Sequence, residues 1–143
     1  MTPPVVTCFL FCGKVQRDPL GGYLARRIQM VFRSPHAPVT IPGEFLISLT
    51  DVHGKQHLRL DLIDALGNVV WRWEQRPEYP IEQKNPLETS VVTIEGVEIT
   101  LPRHGAYNFV LYANDVEIYR TRLALARLRY VAAGPPGGAV SGN

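Results

Sequence analysis

At 143 residues the chain can bury one hydrophobic core of its own, and 45% hydrophobic against 20% charged residues excludes a wholly disordered polypeptide. A net charge of +2 is too small to direct the whole molecule to nucleic acid. The charge is unevenly spread: residues 1 to 43 carry +4, residues 44 to 102 carry −5 and residues 103 to 143 carry +3, which makes a dipolar surface if the fold brings the two ends together.

The opening stretch VVTCFLFCG has too short an apolar run and too little preceding charge for a secretory signal, and Thr7 before Cys8 does not suit a lipoprotein site. No stretch approaches the roughly 18 apolar residues of a membrane helix, so the expected compartment is the cytoplasm, with reduced thiols. Val5, Val6, Thr7, Phe9 and Phe11 favour a strand covered on both faces. Cys8 and Cys12 then share one face about 13 Å apart, beyond the roughly 7 Å between Cα atoms that a disulfide tolerates. Both read as small apolar core residues.

Period-two alternation continues along most of the chain. Ile28, Met30 and Phe32 face one way, as do Phe45, Ile47 and Leu49, then Leu58, Leu60 and Leu62 with His57, Arg59 and Asp61 on the solvated side. Pro35, Pro38 and Pro42 predict an extended loop without a helix. DVHGK at 51 to 55, DALGN at 64 to 68 and AND at 113 to 115 read as turns joining consecutive antiparallel strands, the last through Asn114 and Asp115, which tolerate positive φ. In NVVWRWE the face of Val69, Trp71 and Trp73 opposes Arg72 and Glu74, which puts the tryptophans inward. RPEYPIEQKNPLE, 76 to 88, is a longer polar loop of the kind that often carries function. In SVVTIEGVEITL the apolar phase changes at Glu95 and Gly96, which a bulge or a tight turn explains equally. Leu123 to Tyr130 extends as either helix or strand. The expected domain is 1–132, followed by a flexible Gly/Pro-rich tail over 133–143.

LPRHGAYNFVLYAND holds the most specific pattern. Pro102, Gly105 and Tyr107 form P-x-x-G-x-Y, in which a tyrosine past a bend buries its ring and bonds its hydroxyl back to the upstream backbone. With TCFLFCGKV, the hairpin LRLDLIDALGNVV and the closing GAYNFVLYANDVEIYRTRLALAR, the chain resembles a group of uncharacterised bacterial domains of immunoglobulin-like fold, over residues 5 to about 128. The resemblance implies a fold and carries no activity or site residue.

The candidate sites are few. His53 and His57 flank Gly54 beside Asp51, but a zinc site needs three or four converging ligands. Asp51, Asp61 and Asp64 lack the clustering that calcium requires. Ser48, Ser90 and the thiols lie in predicted strands without a nucleophile elbow, and no phosphate-cradling glycine loop occurs. The expectation is therefore a protein that is not an enzyme and holds no metal or cofactor. Trp71, Trp73 and Tyr79 are the aromatic candidates for a binding surface, either as core or as a ligand platform. Arg120, Arg122 and Arg127 are the basic ones, with Arg129, but they alternate faces and lack interleaved aromatics for single-stranded nucleic acid. The expected architecture is an all-β protein, a single antiparallel sandwich of seven to nine strands, immunoglobulin-like. Its expected role is a non-catalytic protein-interaction module of a bacterial assembly, with a protein partner that could be a second copy of itself, and without nucleic acid or membrane. A small-ligand or carbohydrate-binding module is the alternative.

Overall fold

A computed structural model of the protein describes residues 2 to 128. Among them are ten strands and no helix: β1 (Val5–Cys12), β2 (Lys14–Arg17), β3 (Tyr23–Arg26), β4 (Val31–Ser34), β5 (Val39–Thr50), β6 (Leu58–Ile63), β7 (Val69–Glu74), β8 (Ser90–Leu101), β9 (Gly105–Ala113) and β10 (Val116–Arg127). The expected tail over 133–143 and Arg129 lie outside the described residues. Leu123 onward continues as strand to Arg127.

The strands form a three-stranded sheet in the order β1-β5-β8, a five-stranded sheet in the order β4-β10-β9-β6-β7 and a two-stranded ribbon of β2 and β3. Three features correct the expected single antiparallel sandwich of seven to nine strands. The count is ten, the ribbon belongs to neither large sheet, and β4 runs parallel to β10. The sequence reading did not single out this ribbon; Asp18 caps its bend through its carbonyl and carboxylate, bonding Gly21 at 2.9 Å and Leu20 at 3.1 Å, and Gly21 takes φ +92°. That geometry leaves Ile28 exposed before β4 begins, so only Met30 and Phe32 of the predicted face pack inward.

The two large sheets meet through the alternating residues of their facing strands. Phe11, Phe45, Ile47 and Leu49 from one side and Leu58, Leu60, Leu62, Phe109, Leu111 and Leu123 from the other are almost wholly buried. Phe45 and Phe109 cross the gap edge to face at 5.1 Å and 90°, while Phe11 approaches both rings at 4.8 and 5.5 Å. Such pairs add about 0.5–1.5 kcal/mol each beyond the area they bury.

Two connections differ from the sequence reading. The segment 51 to 57 does not close a hairpin; it carries the chain from β5 in one sheet to β6 in the other. Asp51 at φ +55° and Gly54 at φ +66° make the bend, and Gln56 pairs with Ile81 across it. Pro42 lies inside β5 and pairs with Glu98, because β1 ends opposite Glu44 and leaves no ladder partner for a proline nitrogen. The other turns form as read. Asp64 and Asn68 close β6 to β7, and Asn114 and Asp115 at φ +47° and +64° close β9 to β10. The phase change in β8 is a bulge, with Glu95 and Gly96 facing Glu44 alone.

Tyr107 is buried and its hydroxyl donates to the Arg103 carbonyl while accepting the Arg103 N–H at 3.1 Å. Sequence and structure agree on this corner. Glu44 ties the ribbon to β5: its buried carboxylate accepts the Val15 N–H at 2.7 Å, with the Lys14 ammonium 3.8 Å away.

The two cysteines part company. Cys12 is buried beside the Glu44 carbonyl, and burial, with the Glu44 charge second, pushes its thiol above the ordinary range. Cys8 is only half-buried, on the face of β1 opposite the inward Phe9 and Phe11, so it is not the core residue that alternation suggested. A bulge between Val6 and Cys8 offsets the register there. In native protein a maleimide reagent should therefore modify Cys8 well before Cys12, and equal rates would contradict the packing of β1. Gly43 has no room for a side chain, since a Cβ there would collide with the Phe11 ring and sit 3.0 Å from the Cys12 carbonyl oxygen. Gly43→Ala should lower unfolding free energy by about 1–3 kcal/mol in urea titrations, the usual cost of overpacking.

Candidate functional site

The outer face of the five-stranded sheet carries a cluster of ion pairs. Register sets Asp61 opposite Arg72 on β7 and opposite Val110 on β9. Arg72 grips the Asp61 carboxylate with Nε at 2.7 Å and Nη2 at 3.1 Å. That bond lifts the Arg72 guanidinium further above its ordinary pKa. Asp61 is thus a buried carboxylate rather than the solvated strand residue its alternation suggested. Arg59, two residues away on β6, lies over the Tyr112 ring at 4.3 Å and bonds Asp115 at 2.8 Å, with its Nε 3.6 Å from Asp61. These contacts are an interlock of strands, which fits a structural role for the cluster.

The residues singled out from the sequence fall in four places. Arg120 and Arg122 lie exposed on β10, and Arg120 bonds Glu117 at 2.9 Å, which lowers the Glu117 pKa. Trp71 and Trp73 are half-buried against the core, with Trp71 stacked on Phe45 at 5.7 Å and 16°. Tyr79 stands 67% exposed in the 76 to 88 loop, so it does not build an aromatic platform with rings that are turned to the core. Arg127 lies elsewhere, at the end of β10, where its Nη1 approaches the Pro35 carbonyl at 3.5 Å.

Arg127 borders a cavity of about 510 Å³ together with His36, Arg103 and His104. Only Arg127 of this group was selected from the sequence. The others sit on a proline-marked loop and in the Pro102 bend, and the segregation of positive charge to both chain ends was the signal that could have joined them. A smaller cavity of about 160 Å³ adjoins on the far side of Arg103 and His104, where Asp64 lies 3.7 Å from Arg103. The Asp64 carboxyl is held below its ordinary pKa chiefly by the Asn68 N–H, as a turn-capping carboxylate should be.

The metal and nucleophile candidates are dispersed. His57 bonds the Gln75 carbonyl at 2.7 Å, while the His53 carbonyl accepts from Gln56. Among the described residues no three His, Cys, Asp or Glu side chains converge as a metal set. Ser48 shares a hydrogen bond with Thr7, and Ser90 accepts one from Gln83. No helix among the described residues is long and apolar enough to cross a membrane.

The three-stranded sheet has two open ends. Among the described residues β1 and β8 each pair only with β5, and β8 is twelve residues long. Its second half is guarded by the bulge at Gly96 and by Glu95 and Glu98, but Ser90–Val91–Val92–Thr93–Ile94 is uncharged and rich in β-branched residues.

Neither a family model nor a curated protein matches the chain. Among solved structures, an immunoglobulin-like protein from Pseudomonas aeruginosa aligns over 87% of this chain and 97% of its own, at 11% identity and a TM-score of 0.39.

Asp61→Asn keeps the side-chain volume but removes the charge that two guanidinium groups face. With Arg72 half in solvent, the expected loss is about 1–3 kcal/mol of stability, read by urea or thermal unfolding. An unchanged midpoint would show that the outer-face cluster is idle.

Proposed function

We propose that the protein is a non-catalytic protein-interaction module, an immunoglobulin-like sandwich that takes a strand of its partner onto an open sheet edge in a reducing compartment. The observation that carries this reading is the side of β8 over Ser90 to Ile94 that no strand among the described residues pairs with. An edge strand presents a row of main-chain donors and acceptors that an incoming strand satisfies, and alternate side chains supply specificity. Val91, 39% exposed, and Thr93, also exposed, supply that side-chain surface here. β-Branched residues hold the extended conformation ready for pairing, which lowers the ordering cost of association. The core-facing tryptophans favour this reading over a carbohydrate platform. The partner is another protein or a second copy of the chain.

The paired substitution Val91→Lys and Thr93→Lys places charge on the exposed face of the edge and leaves the buried positions intact. Affinity capture with the full chain should retain a stoichiometric protein that the double variant loses, or wild-type chain should dimerise with rising concentration in light scattering where the variant stays monomeric. Equal thermal stability of the two forms would show that folding is preserved. Capture of the same proteins by both forms, or a wild-type chain that captures nothing and stays monomeric, would overturn the proposal.

A further inference from the structure

The two basic ends of the sequence become neighbours in the fold. β4 pairs in parallel with β10, so Ser34 lies beside Arg127, and the loop after β4 meets the bend that precedes β9. Their meeting forms the cavity of about 510 Å³ at which His36, Arg103, His104 and Arg127 converge from three separate segments. Among the described residues no carboxylate lines it. The nearest acidic partner of the group, Asp64, is 3.7 Å from Arg103 and borders the adjoining smaller cavity instead.

The backbone that carries these groups is fixed before any ligand arrives. The Tyr107 hydroxyl binds both the N–H and the carbonyl of Arg103, which fixes the bend. His104 directs Nε2 to the Ser34 carbonyl at 2.8 Å. A carbonyl can only accept, so Nε2 carries the hydrogen and Nδ1 is left to meet another group. The Ser34 hydroxyl accepts the His36 N–H at 3.2 Å, and the Pro35 carbonyl accepts from one nitrogen of Arg127. Ser34 and Pro35 thus contact three of the four residues from one stretch of chain. The remaining guanidinium N–H groups of Arg103 and Arg127 form forks matched to planar or tetrahedral oxyanions.

We propose that this cavity is a binding site for a phosphorylated small molecule, whose phosphoryl oxygens are held by Arg103 and Arg127 with His36 and His104 beside them. Ligand cavities commonly span about 300–1,000 Å³, and this one exceeds what a single inorganic phosphate fills. Most such cavities are apolar; a lining of two arginines and two histidines, with Asp64 meeting Arg103 from the adjoining cavity, favours an occupant that brings its own negative charge. The site lies away from Ser90–Ile94 on β8, so it stands or falls independently of the edge interaction.

The test uses full-length protein labelled with ¹⁵N and titrated with inorganic pyrophosphate at constant ionic strength set by sodium chloride. The expected result is saturable shifts confined to the amides of His36, Ala37, Arg103, His104 and Arg127. Arg103→Ala with Arg127→Ala should weaken binding at least about tenfold, whereas Arg120→Ala with Arg122→Ala, exposed on β10, should leave it unchanged. Dispersed amide shifts like those of the wild type would show that both variants fold. Shifts that fail to saturate, that spread across the basic ribbon, or that survive in the Arg103 and Arg127 variant would overturn the proposal. Citrate binding as tightly as pyrophosphate at the same ionic strength would overturn the phosphoryl assignment.

Discussion

The contact on which the fold depends is the crossing of Phe45 and Phe109 between the two large sheets. Phe45 is on the central strand of the three-stranded sheet and Phe109 on the central strand of the five-stranded one. Both rings are fully buried, and Phe9, Phe11 and Trp71 each lie within 6.4 Å of one or both, so one aromatic cluster sets how the sheets sit on each other. Interiors are packed as densely as organic crystals. The space Phe11 takes is therefore space denied elsewhere, which is why the neighbouring backbone position can only be Gly43.

Around this core, polar side chains settle the places where backbone groups or charges would otherwise be stranded. Glu44 is a buried acid because the ribbon lies over it and offers the Val15 N–H and the Lys14 ammonium. Asp61 is buried because Arg72 and Arg59 close over it from adjacent positions on the sheet. Tyr107 performs the same service for the bend at Arg103. Each of these groups would cost free energy if left alone in a low-dielectric surrounding, and each has a named partner.

The same devices divide the surface into regions of different character. The Tyr107 corner and the Ser34 loop hold basic groups at one cavity, while Glu95 and Glu98 line the second half of the open β8 edge. Rigid sheets carry these features on loops, bends and edges, where side chains and backbone remain free to meet another molecule. An uncharged segment of edge strand and a cationic cavity suit different occupants, the first a strand of polypeptide and the second a small anion.

Local features of the chain were legible because they depend on neighbours in sequence. Alternation marked the core faces of β5 and β6; Asn114 and Asp115, which tolerate positive φ, marked a two-residue hairpin; the pattern of Pro102, Gly105 and Tyr107 marked a corner; and the change of phase at Gly96 marked an irregularity in β8. Pairing across distance was not legible. A turn at 51 to 55 looks alike whether the next strand returns to the same sheet or crosses to the other, and the parallel pairing of β4 with β10 joins residues far apart in the sequence, as Val31 with Ala124. Burial of Asp61 and the half-buried position of Cys8 followed from which strand lay beside each, not from their own alternation. The sequence by itself determined an all-β chain with its hairpins, its tyrosine corner and a charge imbalance between its ends and its middle, since propensity, periodicity and turn chemistry act over a few residues. Only the tertiary structure decided the division into three sheets, the open edges and the gathering of His36, Arg103, His104 and Arg127, because these arise where distant segments compete for the same buried space.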